Sequence, residues 1–237
     1  GWVAMSPDGK NIVWSVADNI RLPVRWVICS RDGGETFQKA AVFDFVGQPI
    51  TDGFLKVFSD RVHSHLFYGF DEKGCFFVSH DGGATYRKKR ALLPEADFGL
   101  IDCANKTEVR GVAGISGVFY MALGNHGMWK LTYTEDTDTV TAKKLSAPGD
   151  TCLRLGLGLG VPGGDYVSCS KAIYLCGVIG GAYGFYRTFD EGKTYARLNR
   201  EDQMYGQINS IDGDKRTFGR FYLATGSRGL IYGEKEE

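Results

Sequence analysis

Ser30-Arg31-Asp32-Gly33-Gly34-Glu35-Thr36-Phe37 recurs as Ser79-His80-Asp81-Gly82-Gly83-Ala84-Thr85-Tyr86 and again as Thr188-Phe189-Asp190-Glu191-Gly192-Lys193-Thr194-Tyr195. Each copy reads Ser/Thr-x-Asp-x-Gly-x-Thr-aromatic. The aspartates stand 49 and then 109 residues apart, and half of the longer interval is about 54. A worn copy is therefore expected near residue 136, where Thr134-Glu135-Asp136-Thr137-Asp138-Thr139 stands without the glycines. A repeat of roughly 50 residues among short apolar runs is the period of one four-stranded unit.

The pattern has a physical logic. A carboxylate at the third position accepts backbone N–H groups across a tight turn, as Asx-type turns do. The glycine four places after the Ser or Thr is free to take positive φ. The closing aromatic opens the next strand and packs between units. This is the Asp-box pattern, and it makes Asp32, Asp81 and Asp190 structural fasteners rather than catalysts. Strand-like runs lie between the copies: Asn11–Ser15, Val24–Cys29, His65–Gly69, Cys75–Val78, Val118–Ala122, Ala172–Cys176, and a closing pair, Arg220–Thr225 with Gly229–Gly233. No segment keeps a helical apolar period. The expected fold is all-β, a β-propeller of four-stranded antiparallel blades with Asp-box repeats, part of a seven-bladed ring. It is expected as one propeller region over residues 1–237, with blades at about 1–48, 49–98, 99–147 and 148–200 and a closing hairpin at 201–237. Trp14 and Trp26 lie inside strand runs and are expected in the core.

Lys plus Arg equals Asp plus Glu, 28 against 28 in 237 residues. No basic stripe supplies the long-range field that nucleic-acid binding uses, so no nucleic-acid partner is expected. No apolar run approaches membrane-spanning length, so no membrane partner is expected. The N-terminal residues show no leader pattern. The six cysteines form no C-x-x-C pair, and the four histidines have no ligand spacing; His63 and His65, two apart, could share a strand face. Neither a metal nor a cofactor is expected. Cys29 and Cys75 lie in apolar runs and read as buried thiols.

The segments between the boxes are more specific than the boxes. Val3-Ala4-Met5-Ser6-Pro7-Asp8-Gly9-Lys10-Asn11-Ile12-Val13-Trp14, Ser59-Asp60-Arg61-Val62-His63-Ser64-His65-Leu66-Phe67-Tyr68, Asp202-Gln203-Met204-Tyr205-Gly206 and the run from Gly213 through Arg220-Phe221-Tyr222-Leu223 to Gly229-Leu230-Ile231-Tyr232-Gly233 resemble the second propeller of glycoside hydrolase family 74. The resemblance covers most of the chain and is weakest between residues 97 and 160. It implies two seven-bladed propellers facing across a cleft that holds xyloglucan, each supplying one aspartate to an inverting hydrolysis. Inversion needs carboxyl groups about 6.5–9.5 Å apart, one acid and one base. The family's Gly-Asp-Ile-Gly-Gly motif, which carries the second propeller's acid, is not found here. The catalytic residues are therefore unassigned. The implied role is xyloglucan binding within a secreted, extracellular endo-β-1,4-glucanase, with xyloglucan or a related β-1,4-glucan and an N-terminal propeller of the same protein as partners. Two other readings stand beside it: a non-catalytic xyloglucan-binding module, and an Asp-box propeller that binds proteins.

A pyranose presents an apolar C–H face to aromatic rings and hydroxyls to amides and charges. Loops that combine these types hold the candidate contacts Asn125, His126 and Trp129, then Tyr183, then Asp202, Gln203 and Tyr205, and finally Arg228. For each aromatic, packing between blades is the competing reading. Asp52, Asp60 and Asp102 are the carboxylates to examine if the chain alone releases sugar. Two motifs have plain readings. Ile20-Arg21-Leu22-Pro23 is similar to a sialidase arginine motif but reads as a loop. Gly156-Leu157-Gly158-Leu159-Gly160 is followed by Val-Pro, not a helix, and reads as a glycine-rich strand against a neighbouring backbone.

Overall fold

The computed structural model describes residues 2–16, 27–51, 55–71, 73–91, 93, 107–161 and 172–234. Ile20–Pro23, Trp26, Asp52, Asp102, Cys103 and Cys169 lie outside the described residues. Those described form strands and turns with no helix.

The first sheet takes β1 (Trp2–Met5), β2 (Ile12–Ser15), β3 (Val27–Ser30) and β4 (Gln38–Lys39) in chain order. The second takes β6 (Lys56–Ser59), β7 (Phe67–Phe70), β8 (Cys75–Ser79) and β9 (Thr85–Ala91), and β5 (Ala41–Phe43) joins its edge. The third is β10 (Thr107–Gly111), β11 (Val118–Leu123), β12 (Met128–Thr134) and β13 (Thr139–Lys144). The fourth is β14 (Arg154–Gly158), β15 (Ala172–Ile179), β16 (Ala182–Thr188) and β17 (Ala196–Arg197). The fifth is β18 (Ile208–Gly213), β19 (Phe221–Thr225) and β20 (Leu230–Gly233).

Three sheets are thus four-stranded and follow chain order, each strand pairing antiparallel with the next. Two depart from the expected blade. β5 pairs parallel with β9, Ala41 opposite Thr85, so the connection out of the first sheet covers the second sheet's outer edge. The expected closing hairpin carries a third strand, β18, which pairs antiparallel with β19.

The chain divides into two compact units: residues 1–104 with 115–117 and 133–141, and residues 105–114 with 118–132 and 142–237. In the first unit Ala4, Val13 and Cys29 pack with Leu55, Val57, Phe67, Phe77 and Tyr86. In the second, Tyr174, Cys176 and Phe185 pack with Ile208, Ile211, Phe221 and Leu223. Each Val, Leu, Ile or Phe among them, fully buried, contributes about 1.5–3 kcal/mol of hydrophobic stabilisation. The strand glycines Gly156 and Gly158 permit close layers. A Cβ would lie 2.3 Å from the Ile211 carbonyl oxygen at Gly156 and 2.7 Å from the Tyr174 ring at Gly158. Trp14 corrects the core expectation: it is 42% exposed, because strand alternation gives the inward place to Val13. Cys29, Cys75, Cys152 and Cys176 are buried free thiols.

Candidate functional site

The three repeat segments join the third strand of a sheet to the fourth and share one bonding scheme. Ser30 Oγ donates to Asp32 at 2.6 Å and accepts Gly34 N–H at 2.8 Å. Asp32 then receives Thr36 N–H at 3.0 Å and the Thr36 hydroxyl at 2.5 Å. At the second copy Ser79 donates to Asp81 at 2.8 Å, accepts Gly83 N–H at 2.9 Å, and Asp81 accepts Thr85 N–H at 2.8 Å. The third repeats this with Thr188, Asp190, Gly192 and Thr194 at 2.7–2.9 Å. The hydrogen bond from Ser30, with those from Thr36, holds the Asp32 carboxyl well below the usual range. At Asp190 burial pushes upward, and bonds from Thr194 and Thr188 overcome it, leaving a pKa of about 2. Carboxylates held this way are anionic acceptors and are not proton donors near neutral pH.

The fourth position of the motif also takes positive φ: Gly33 at 76°, Gly82 at 74° and Glu191 at 59°. Glu191 is the non-glycine case, and its carboxylate accepts Tyr120 OH at 2.7 Å and Lys130 Nζ at 2.6 Å. Bonds to the neighbouring sheet offset the backbone strain.

A second aspartate turn, from first strand to second, was hidden inside the family-like stretches. Asp60 is fully buried and accepts Val62 N–H, His63 N–H, Tyr68 OH, Ser116 Oγ and Gly117 N–H at 2.7–3.1 Å. Asp214 accepts Arg216 N–H, Thr217 N–H and Tyr222 OH at 2.7–2.8 Å. The signal is an aspartate followed eight residues later by a tyrosine, Asp60 with Tyr68 and Asp214 with Tyr222. Asp60 is thereby spent on structure.

The candidate sugar contacts lie at the opposite strand ends from the Asp turns, all in the second unit. Asn125 and His126 tip the β11–β12 turn, the β15–β16 turn leads into Tyr183, Arg228 tips the β19–β20 turn, and Asp202, Gln203 and Tyr205 precede β18. Backbone bonds tie these loops into one rim. Gly124 and Cys152 exchange N–H···O bonds at 2.8 and 2.9 Å, Thr151 N–H reaches Val178 O at 2.8 Å, and Gly226 N–H reaches Gln207 O at 2.9 Å. Asp150, buried and missed in the sequence, accepts Gly180 N–H at 2.9 Å and Ala147 N–H at 3.1 Å.

Tyr183 and Tyr205 flank Phe185. Tyr205 stacks on it at 6.2 Å and 8°, and Tyr183 meets it edge-on at 6.5 Å. Both tyrosines are half-buried; the Tyr183 hydroxyl lies 3.1 Å from Cys176 Sγ, and burial pushes its pKa up. Asn199, also missed, shapes the loop: its Oδ1 accepts Phe185 N–H at 2.8 Å and its Nδ2 donates to Arg200 O at 3.1 Å. Arg197 binds Tyr183 O and the Glu201 carboxylate, holding the latter's pKa down. Asn125, Asp202 and Arg228 are exposed, while Gln203 is half-buried with its Oε1 on Arg200 N–H. Trp129 is only 8% exposed and its indole N–H is bonded to His126 O at 2.9 Å. It supports the turn from beneath and offers no open ring face.

Stacked antiparallel sheets joined by short turns define an all-β protein of the β-propeller kind. The chain superposes on the Cps50 (Swd1) β-propeller domain of Myceliophthora thermophila with a TM-score of 0.58 over 99% of this chain and 83% of that one, at 5% identity. It also matches a GH74 enzyme of Niastella koreensis with a TM-score of 0.71 and 22% identity, over 97% of this chain and 30% of that one. No family model matches. In sequence the chain is 31% identical over 236 residues to a xyloglucanase of Paenibacillus sp., covering 99% of this chain and 20% of that protein. It is 34% identical over 242 residues to a xyloglucanase of Acetivibrio thermocellus, 99% of this chain and 24% of that protein. It is 32% identical over 255 residues to an oligoxyloglucan-reducing end-specific xyloglucanase of Emericella nidulans, 100% of this chain and 28% of that protein. The chain is homologous over its whole length to a portion of the glycoside hydrolase family 74 xyloglucanases. It spans about a fifth to somewhat over a quarter of the relatives it matches.

Proposed function

We propose that this chain is the xyloglucan-binding portion of a longer, secreted, inverting xyloglucan endo-β-1,4-glucanase. Its repeats are then the Asp-boxes of a seven-bladed propeller, and an N-terminal propeller is its partner across the cleft. The observation that carries this reading is the end-to-end similarity to proteins named xyloglucanases. The rim supplies what a glycan needs: half-exposed rings at Tyr183 and Tyr205, an exposed amide at Asn125, and charges at Asp202 and Arg228, with His126 and Gln203 between. Trp129 acts by holding the Asn125–His126 turn.

Catalysis by this portion alone is not expected. The Asp turns, Asp60 and Asp150 spend their carboxylates on turn and loop hydrogen bonds, whereas an inverting pair needs one carboxyl free to give a proton and one free to activate water. The test is affinity electrophoresis in gels containing xyloglucan or unbranched β-glucan, with a reducing-sugar assay alongside. Retention by xyloglucan without sugar release supports the reading. Absence of retention overturns the binding role, and sugar release overturns the non-catalytic one.

A further inference from the structure

Between the fourth and fifth sheets, within the second unit, one layer of side chains mixes rings with a guanidinium. Tyr174 pairs with Arg187 across β15 and β16, so both side chains leave the same face of the fourth sheet. That face packs on the fifth sheet, where the Tyr174 ring stacks on Phe221 at 5.7 Å. The Arg187 guanidinium carbon lies 4.6 Å from the centre of the Phe189 ring, and Phe189 stacks on Phe218 at 5.3 Å.

Arg187 differs from the other half-buried arginines of this unit, Arg110, Arg154 and Arg220. Arg110 lies 3.5 Å and Arg154 3.9 Å from Glu108, and Arg220 lies 3.8 Å from Asp214. No carboxylate among the described residues lies within 4.0 Å of Arg187. Asp190 and Asp214, the acids of the two turns that carry Phe189 and Phe218, are bonded to those turns. The Arg187 Nε–H and the Tyr174 hydroxyl are both shielded from solvent, and neither meets a hydrogen-bond partner in the protein. They are neighbours: burial raises the Tyr174 pKa, and the adjacent Arg187 charge opposes that rise. Arginine N–H groups only donate, and a tyrosine hydroxyl donates readily. Two orphaned donors, one of them cationic, cost free energy unless an acceptor joins them. A negatively charged acceptor supplies both the open hydrogen bonds and the missing countercharge.

We propose that the Arg187 Nε–H and the Tyr174 hydroxyl bind one chloride-sized monovalent anion between the fourth and fifth sheets. The anion does for Arg187 what Glu108 does for Arg154 and Asp214 for Arg220. Phe189 covers a face of the guanidinium and both donor atoms are buried, so the site takes a bare ion rather than the charged end of a polymer. Arg187 directly precedes Thr188 and the third Asp turn, at the opposite strand ends from the candidate sugar contacts. The inference is therefore independent of the glycan reading.

Thermal unfolding of the whole chain tests it in chloride against gluconate, an anion too large for a buried site, at constant ionic strength. Wild type should melt about 2–4 °C higher in chloride once the ion exceeds its Kd about fivefold, and the gain should level off with further chloride. Arg187→Met keeps an apolar stem and removes the charge, and its Tm should be the same in both salts. Tyr174→Phe keeps the ring stack and removes one donor, so it should need about tenfold more chloride for the same gain. Wild-type crystals grown in bromide should show anomalous scattering within hydrogen-bonding distance of both Arg187 Nε and Tyr174 Oη, a readout that needs no variant to fold. Water at that place in the bromide crystals overturns the proposal. So does a chloride gain that Arg187→Met keeps, or a wild-type Tm equal in the two salts.

Discussion

The turn from third strand to fourth is fastened in two ways. At Ser79–Tyr86, as at the other two kept copies, the fastener is internal: hydroxyl, carboxylate and backbone N–H bond within one turn. At Thr134–Thr139 the glycines are gone, and the fastener reaches outside. Glu135 accepts from His65 at 3.0 Å and lies 3.5 Å from His80, and Tyr133 OH bonds Asp138 at 2.9 Å. Lys89 also binds the Asp138 carboxylate. Asp138 takes the positive φ, 49°, that a glycine takes elsewhere. The place of the turn is set by strand length and pairing; its chemistry is replaceable when a neighbouring element supplies partners.

That contrast orders the expected losses of stability. Asp60→Ala removes the most deeply buried external fastener and strands the Gly117 N–H. Urea unfolding should show a loss of about 3–5 kcal/mol. Asp81→Ala breaks an internal fastener partly open to water, and about 1–3 kcal/mol is expected, with glycan retention per folded molecule unchanged. Normal melting with abolished retention would show the turn to be part of the binding site. Glu135→Gln weakens an exposed external fastener, and at most about 1 kcal/mol is expected, shrinking further in high salt. Glu191 sharpens the comparison, since Ala and Gly both delete its bonds to Tyr120 and Lys130 while only Gly relieves φ. Glu191→Gly should therefore be the more stable of the two by roughly 0.5–1 kcal/mol.

The pH dependence has a definite sign. The Asp190 pKa is about 2 in the fold against 3.8 unfolded, so its contribution is complete above the unfolded value and is lost as pH falls from there through 2. Asp190→Asn should flatten that part of the acid-unfolding curve. A loss confined to higher pH would contradict the assignment.

The internal fasteners were legible because all their parts lie within eight residues of sequence. The worn copy was legible by spacing alone, since its partners His65, His80 and Lys89 stand about 45–70 residues away. The Asp60 and Asp214 turns lie in stretches legible by family likeness but not as a repeat, because an aspartate and a tyrosine eight apart look unremarkable without the strand reversal between them. β5 was not foreseen, since Ala41–Phe43 gives no sign of pairing parallel with an edge more than 40 residues on. The exposure of Trp14 is illegible for a related reason: a strand's period of two shows which residues share a face, not which face is covered. On the rim, residue type found the loops at Asn125, Tyr183, Tyr205 and Arg228. It could not show that Trp129 is buried or that Asn199 and Asp150 hold the loops in place.

The central claim is that this rim holds xyloglucan. Affinity electrophoresis of the 237-residue chain and of Tyr205→Ala, Asn125→Ala and Arg228→Ala tests it most directly. The account expects the wild type to be slowed by xyloglucan more than by unbranched β-glucan. Tyr205→Ala should lose about tenfold in affinity and the two polar variants a few-fold each, with all three still folded. Migration of the wild type unchanged by xyloglucan, or retention that all three variants keep in full, would contradict it.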